Sequence, residues 1–351
     1  MLRVYSVADK DIWNKIVKSF SNWDIYYLCE YALSFKIHGD GDVFLIYFEY
    51  KNDRLCYVVM QKDIANSILF RGKLDNGFYY DWETPYGYGG PLVDRPLSKE
   101  AQNVFKAELK EYCIRNNIVS QFIRFHPLLK NFEVLPNFIE SKYLRDTIFI
   151  DTSVDKNEIM SNMDSQIRNK VRKAIKNDVS IIRVNIDELQ DFIPMYIETM
   201  QKNKADEYYI FNSEYFDSLR KMSDNVCVFY AMYNDIPISG AIIYYNDKFA
   251  HYHLSGSHVD YRKYSPSNLL LYEVACWAHA RGIKLFHLGG GMSPDDSLFG
   301  FKKQFNKHGR APFVVGRTIF DKEAYDFLLD VREKNEESFD RNNGFMIQYR
   351  R

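Results

Sequence analysis

Twice along this chain the same three signals follow one another: a β-hairpin, an α-helix, and a short apolar strand ending in Phe-His. The first hairpin reads from Val43 to Met60 around Lys51-Asn52-Asp53 and the second from Val226 to Ile243 around Asn234-Asp235. Both are aromatic and β-branched runs broken by residues that favour tight turns. The helix after the first hairpin opens at Ser98, sets Ala101, Val104, Phe105, Leu109, Tyr112 and Cys113 on one face, and stops at Asn117. Its counterpart opens at Ser265-Pro266, carries Leu270, Leu271, Val274, Trp277 and Ala278, and stops at Gly282. The strands that follow are "IVSQFIRFH", ending at His126, and "IKLFH", ending at His287. Internal duplication of an α+β unit with a mixed sheet accounts for this order. Two unrelated units that happen to share it are the alternative, because spacings differ and residue identity between the halves is low. A boundary near residue 150 suits either case, since "DTIFIDTS" (Asp146 to Ser153) reads as a strand and a polar stretch follows it. The expected fold is therefore α+β, in two domains over 1–150 and 151–351. Further helices are predicted over 164–177, 187–201, 213–222 and 321–337.

A chain of 351 residues with 46% hydrophobic content can fill two cores of ordinary size. Lys and Arg (46) nearly balance Asp and Glu (47), which excludes recruitment of nucleic acid or membrane by an overall field. Any anion site has to come from local clustering. The five cysteines, Cys29, Cys56, Cys113, Cys227 and Cys276, lie far apart with no C-x-x-C pair, so neither a disulfide framework nor a zinc site is expected. Asp9 and Lys10 interrupt the N-terminus before an apolar leader can form, and no stretch approaches the roughly 18 apolar residues of a membrane span. These features predict a cytoplasmic protein that would meet any membrane-bound substrate peripherally, from the cytoplasmic face.

Local clusters do occur. In "SQIRNKVRKAIKN", Arg168, Lys170, Arg172, Lys173 and Lys176 follow one another with no acid between them. At helical spacing Arg168, Arg172 and Lys176 line one face, with Ile167, Val171, Ala174 and Ile175 giving an apolar side, so the segment is either a solvated surface or a phosphate-binding face. A second basic run, "GFKKQFNKHGR", holds Lys302, Lys303, Lys307, His308 and Arg310, and lies just after the glycine triplet Gly289 to Gly291. Such a triplet permits close approach to a ligand or simply a tight turn. Arg262 and Lys263 precede the helix opening at Ser265, whose free amides offer an anion site; ordinary serine capping is the other reading. His251 and His253 share a strand face with Tyr252 opposite, but no third ligand stands at a telling spacing, so a polar core pair or a substrate contact is preferred to a metal site. Common nucleophile and nucleotide motifs are absent.

Taken in order, "TPYGYGGPLVD" (Thr84 to Asp94), "IRNKVRKAIKN", "YIETMQKNKADEYYIF" (Tyr196 to Phe211), "HYHLSGS", "WAHARGIKLFHLGGG" and "LFGFKKQF" resemble the Fem family of peptidoglycan-bridge aminoacyltransferases and their acetyltransferase-like relatives. The resemblance covers nearly the whole chain and is densest from Thr84 to Phe305. It implies two tandem GNAT-like (acyl-CoA N-acyltransferase) domains, the first on the acceptor side and the second holding the donor channel and catalytic residues. It implies no tightly bound cofactor, an aminoacyl-tRNA donor, and an amine of a cell-wall precursor as acceptor; no metal is expected from the residues themselves. In the relatives the donor is acyl-CoA, which leaves an N-acyltransferase acting on an amino sugar or polysaccharide precursor as the alternative, and a non-catalytic binding protein as a third.

Amine attack on an activated carbonyl needs a held carbonyl and a charge to offset the oxyanion, with no covalent enzyme intermediate. By resemblance the family's Phe-Lys pair falls on Phe301 and Lys302, with Lys302 stabilising the oxyanion or leaving group and Lys303 as the fallback. Tyr209 and Tyr252 would line the acceptor channel, Arg168 and Arg172 would hold a phosphate, and Tyr86, Tyr88 and Asp94 would lie near the acceptor. If Lys302 is exposed, its replacement by Ala should leave stability nearly intact. Three departures matter: the coiled-coil arm of some bridge enzymes is absent, "YGYGGP" lacks a basic residue before Gly-Pro, and Arg-x-x-Ser-Pro-Ser stands where a CoA-binding loop has glycines. Without those glycines the backbone wraps a pyrophosphate less closely, which counts against acyl-CoA.

Overall fold

The computed structural model describes residues 1–351. From the N-terminus come β1 (Leu2–Tyr5), α1 (Lys10–Lys18), α2 (Cys29–His38), β2 (Asp42–Tyr50), β3 (Asp53–Asp63), β4 (Tyr80–Glu83), α3 (Lys99–Arg115) and β5 (Ile118–Arg124). Next are β6 (Glu140–Asp151), α4 (Lys156–Asn162), α5 (Ser165–Lys176), β7 (Ser180–Asn185), α6 (Phe192–Lys202), α7 (Ser213–Leu219), β8 (Val226–Tyr233), β9 (Ile236–Tyr245) and β10 (Phe249–Ser257). The chain ends with α8 (Pro266–Ala280), β11 (Leu285–Gly289), α9 (Ser297–Lys303), β12 (Arg310–Ile319) and α10 (Lys322–Asn335). The α+β class and both hairpins follow the sequence pattern, and α3 and α8 stand where their start and stop signals put them. Helix α6 begins later than expected, because residues up to Leu189 are used in a turn.

Two compact units result, Met1–Leu144 with Phe313–Arg351, and Arg145–Pro312. This differs from a single division at 150: the last 39 residues rejoin the first unit, where β12 pairs antiparallel with β5 and α10 packs under the sheet. The strand order in the first unit is β1-β2-β3-β4-β5-β12, and in the second β6-β11-β10-β9-β8-β7. Each unit thus repeats a hairpin, a third antiparallel strand, a crossover helix and a parallel strand: β4 and β5 around α3, β10 and β11 around α8.

Local chemistry fixes these elements. Asn234 and Asp235 both take positive φ in the two-residue β8–β9 turn, the conformation that matches strand twist. Ser98 Oγ accepts from the Ala101 amide to cap α3, and Gly282, at φ +76, stops α8. The core of the second unit sits between its sheet and the helix pair α5 and α8, where Ile167, Val171 and Ala174 meet Leu270, Leu271 and Val274. In the first unit Phe105, Leu109 and Cys113 of α3 lie against Ile46, Phe48 and Trp82.

Candidate active site

In the second unit β10 and β11 run in parallel from Phe249/Leu285 to His251/His287 and then cease to pair, although β10 continues to Ser257. A notch between parallel strands opens there. On its other edge β10 slips register against β9 between Tyr252 and Leu254, so His253 is the extra residue of a β-bulge. The bulge breaks the simple alternation expected for His251, Tyr252 and His253. His251 is fully buried with its ring edge toward His287, whereas His253 stacks on Tyr244 and its Nε2 lies 2.6 Å from Tyr215 Oη. Burial pushes the His253 imidazole down to about 3, so this ring is neutral at ordinary pH.

The glycine triplet, whose first member Gly289 ends β11, leads into a turn packed tightly onto the start of α9. A Cβ on Gly291 would fall 2.1 Å from Asp296 Oδ1, and only glycine fits. Asp296 caps α9 through the Phe299 amide (2.8 Å) and clamps the turn through the amides of Met292 (2.6 Å) and Ser293 (3.0 Å). Against its own burial, these amides hold the Asp296 carboxyl below the usual range.

Lys302 stands in the last turn of α9 and is only 8% exposed, which corrects any expectation of a surface lysine. Its Nζ donates to the Gly290 carbonyl at 2.8 Å and lies 5.9 Å from the centre of the Tyr252 ring. Those two contacts belong to the segments just beyond the point where β10 and β11 part. No carboxylate pairs with it. Burial pushes the ammonium down to about 8, with the charge of Asp296 pulling it back up. The result is a desolvated cation at the mouth of the notch, where a developing negative charge would feel it far more strongly than in water.

Phe301 packs on the core, edge-on to Phe305 at 5.2 Å, while Lys303 is exposed. Tyr252 reaches Lys302, but Tyr209 lies in the turn Glu207–Tyr209, where its carbonyl accepts from Tyr196 Oη. Ser265 takes φ +58 and makes no capping bond, so ordinary serine capping does not explain it. Arg168 is half-buried and donates from one guanidinium nitrogen to the Met163 carbonyl (2.5 Å), at the end of α4. Arg172, Arg262 and Lys263 are exposed.

In the first unit the Tyr86 carbonyl accepts from Tyr31 Oη and its ring lies on Phe35. Tyr88 packs between Tyr26 and Phe313. Asp94 pairs with Arg54 at 2.6 Å and accepts from the Ser21 amide, a structural use. Sequence reasoning missed Asp296, Tyr215 and the bulge. A helix-capping signal, Asp296-Ser297 before Leu298-Phe299, was present for the first; the others depend on strand register.

Residues 161–303 match the model of the acetyltransferase (GNAT) domain. No curated protein matches in sequence. Among solved structures, FemX aligns with a TM-score of 0.66 and 16% identity over 93% of this chain and 99% of its own. A conserved protein of unknown function from Bacteroides thetaiotaomicron aligns at 0.58 and 10% identity, covering 90% and 99%. L-PGS from Bacillus licheniformis aligns at 0.55 and 12%, covering 92% and 96%. The second unit, Arg145–Pro312, contains the whole of the match to the acetyltransferase (GNAT) domain, and the fold of the whole chain is similar to that of FemX.

Proposed function

We propose that this protein transfers an aminoacyl group from a charged tRNA to an amine of a cell-wall (peptidoglycan) precursor. The observation that carries the acyl-transfer chemistry is the buried, unpaired Lys302 ammonium at the notch between β10 and β11. In the reaction the neutral acceptor amine attacks the ester carbonyl, a C–N bond forms and the C–O bond to the tRNA ribose breaks. Lys302 offsets the charge on the tetrahedral oxygen and gives a proton to the departing ribose oxygen, while the amine releases one. The likeness to FemX and the loop Arg262 to Ser267, which lacks the glycines of a CoA-binding loop, support tRNA as donor.

The match to an acetyltransferase domain favours a second reading, acyl-CoA-dependent N-acylation of an amino sugar. Binding of the purified protein to bulk charged tRNA and, separately, to acetyl-CoA at two salt concentrations tests the choice. Saturable, salt-sensitive tRNA binding without CoA binding supports the proposal. CoA binding alone replaces it with the second reading.

A further inference from the structure

Helix α5 and the 3-10 turn Val259–Tyr264 lie against each other in the second unit, although 82 residues lie between Lys176 and Val259. This juxtaposition merges two basic segments that are distant in sequence. On α5 the buried positions are Ile167, Val171 and Ala174, so the face pointing directly away from the core is made by Arg172, Lys173 and Lys176. Arg262 and Lys263 extend it from the turn, and all five side chains are exposed without a carboxylate partner. The acids nearest in sequence, Asp178 and Asp260, are too few to balance them. Beside the cations, Tyr233 and Tyr264 stack at 4.6 Å and Tyr261 joins them at 6.1 Å from Tyr233, all three half-exposed.

We infer that this surface docks the sugar-phosphate backbone of an RNA, with an unpaired base lodged against the tyrosine cluster; the inference rests on the tRNA-donor reading above and locates where the body of that donor is gripped. Like charges kept together without acids repel unless an anion lies among them, and regularly spaced phosphates match a row of cations. Aromatic rings beside such a row are the usual partners of unstacked bases. A membrane surface is disfavoured because insertion needs apolar side chains at the leading edge of the helix, and α5 leads with cations. Its one exposed aliphatic, Ile175, sits to the side, adjoining the buried face.

The test uses the full chain and bulk deacylated tRNA, with binding followed by fluorescence anisotropy across salt concentrations. Combined replacement of Arg172, Lys173 and Lys176 by Ala should weaken tRNA binding at least tenfold at about 0.1 M salt and reduce the salt slope by about 2 to 3, close to 0.9 per lost phosphate contact. A variant with Lys173→Arg and Lys176→Arg should bind as wild type, and circular dichroism should show all variants folded. Unchanged tRNA affinity in the triple Ala variant overturns the inference while leaving a tRNA donor intact, provided wild type still transfers from charged tRNA. Loss of sedimentation with phosphatidylglycerol vesicles, with tRNA binding unaffected, overturns it in favour of a membrane surface. If wild type binds no tRNA and transfers from acetyl-CoA, both the donor reading and this inference fail.

Discussion

The two units place the same elements in the same order, yet treat the gap between their parallel strands in opposite ways. In the second, β10 and β11 stop pairing after His251/His287. In the first, β4 and β5 stay zipped past Glu83/Phe122: the Thr84 amide donates to the Phe122 carbonyl, and Gly89 bridges to Phe125 further on. The segment "PYGYGG" is what fills the gap, pinned by Asn131 Nδ2 donating to the carbonyls of Gly89 and Pro91. Charge follows the same division. The first unit surrounds Glu83 with Lys62 (2.6 Å) and Arg350 (2.9 Å), and Arg350 also pairs with Asp81 (2.7 Å). In the second unit the buried Lys302 has only a carbonyl and a ring. Identical topology therefore serves two ends, a neutralised and closed half that supplies stability and an open half that keeps a charge in reserve.

The largest expected effect lies in the closed half. Burial would push the Glu83 carboxyl up, yet Arg350, Arg124 and Lys62 hold it well below its ordinary range, so its stabilisation is present at neutral pH and lost on acidification. Glu83→Ala should cost about 3–5 kcal/mol in urea unfolding, because it takes from the half-buried Lys62, Arg124 and Arg350 the carboxylate they share. Transfer per folded molecule should be unchanged; a loss of turnover beyond the unfolded fraction would break the contrast between the units.

In the open half the order reverses. Lys302→Ala should lower kcat about 10²–10³-fold, equivalent to about 2.7–4 kcal/mol, in single-turnover transfer. Lys302→Met, which keeps the packing, should be as inactive while remaining folded, and Lys303→Ala should be near wild type. Full activity in both Lys302 variants would remove the mechanism, and with it the catalytic reading of the notch.

Gly90→Ala tests the plug itself. At φ +84 the new Cβ would lie 2.8 Å from Phe125 and 3.2 Å from Asn131, so a loss of about 1–3 kcal/mol in melting experiments is expected. Stability equal to wild type would show that the segment is loosely held and that the first gap is open too.

The smallest effect is a pH limb. Lys302 is charged below about 8 and loses its proton as pH rises, so the rate should fall about tenfold per unit above that value, a limb missing in Lys302→Met. Stability moves the other way. Between about 8 and the ordinary 10.5 the unfolded chain binds the proton that the folded one has released, so unfolding should become harder as pH rises through that window. A rate that stays level to pH 10 would mean that the ammonium is not the working form.

Much of the fold was legible because its signals are local. Hairpins declare themselves by alternating β-branched residues and Asn-Asp turns, and Ser98, Pro266 and Gly282 mark helix ends by rules that operate within one turn. Arg168 shows the limit of such reading: it stands in a run that reads as a phosphate face or a solvated surface, and its bond to the Met163 carbonyl is a contact the run does not reveal. A charge pattern counts cations without showing which are occupied. Asp94 likewise has a partner that no local pattern reveals, Arg54 of β3.

The sequence by itself determined the element order, because hairpins and helix ends are written in residues close together along the chain, and reading that order twice gave the duplication, while Phe301 and Lys302 came only from a resemblance. Tertiary structure alone decided that Lys302 is buried, that β10 bulges at His253, that the tail after Phe313 returns to the first unit, and that one parallel gap is filled while the other is open. Burial, register and strand separation are set by residues far apart in sequence, such as Gly290 against Lys302 and Gly89 against Phe125, and no local pattern encodes those meetings.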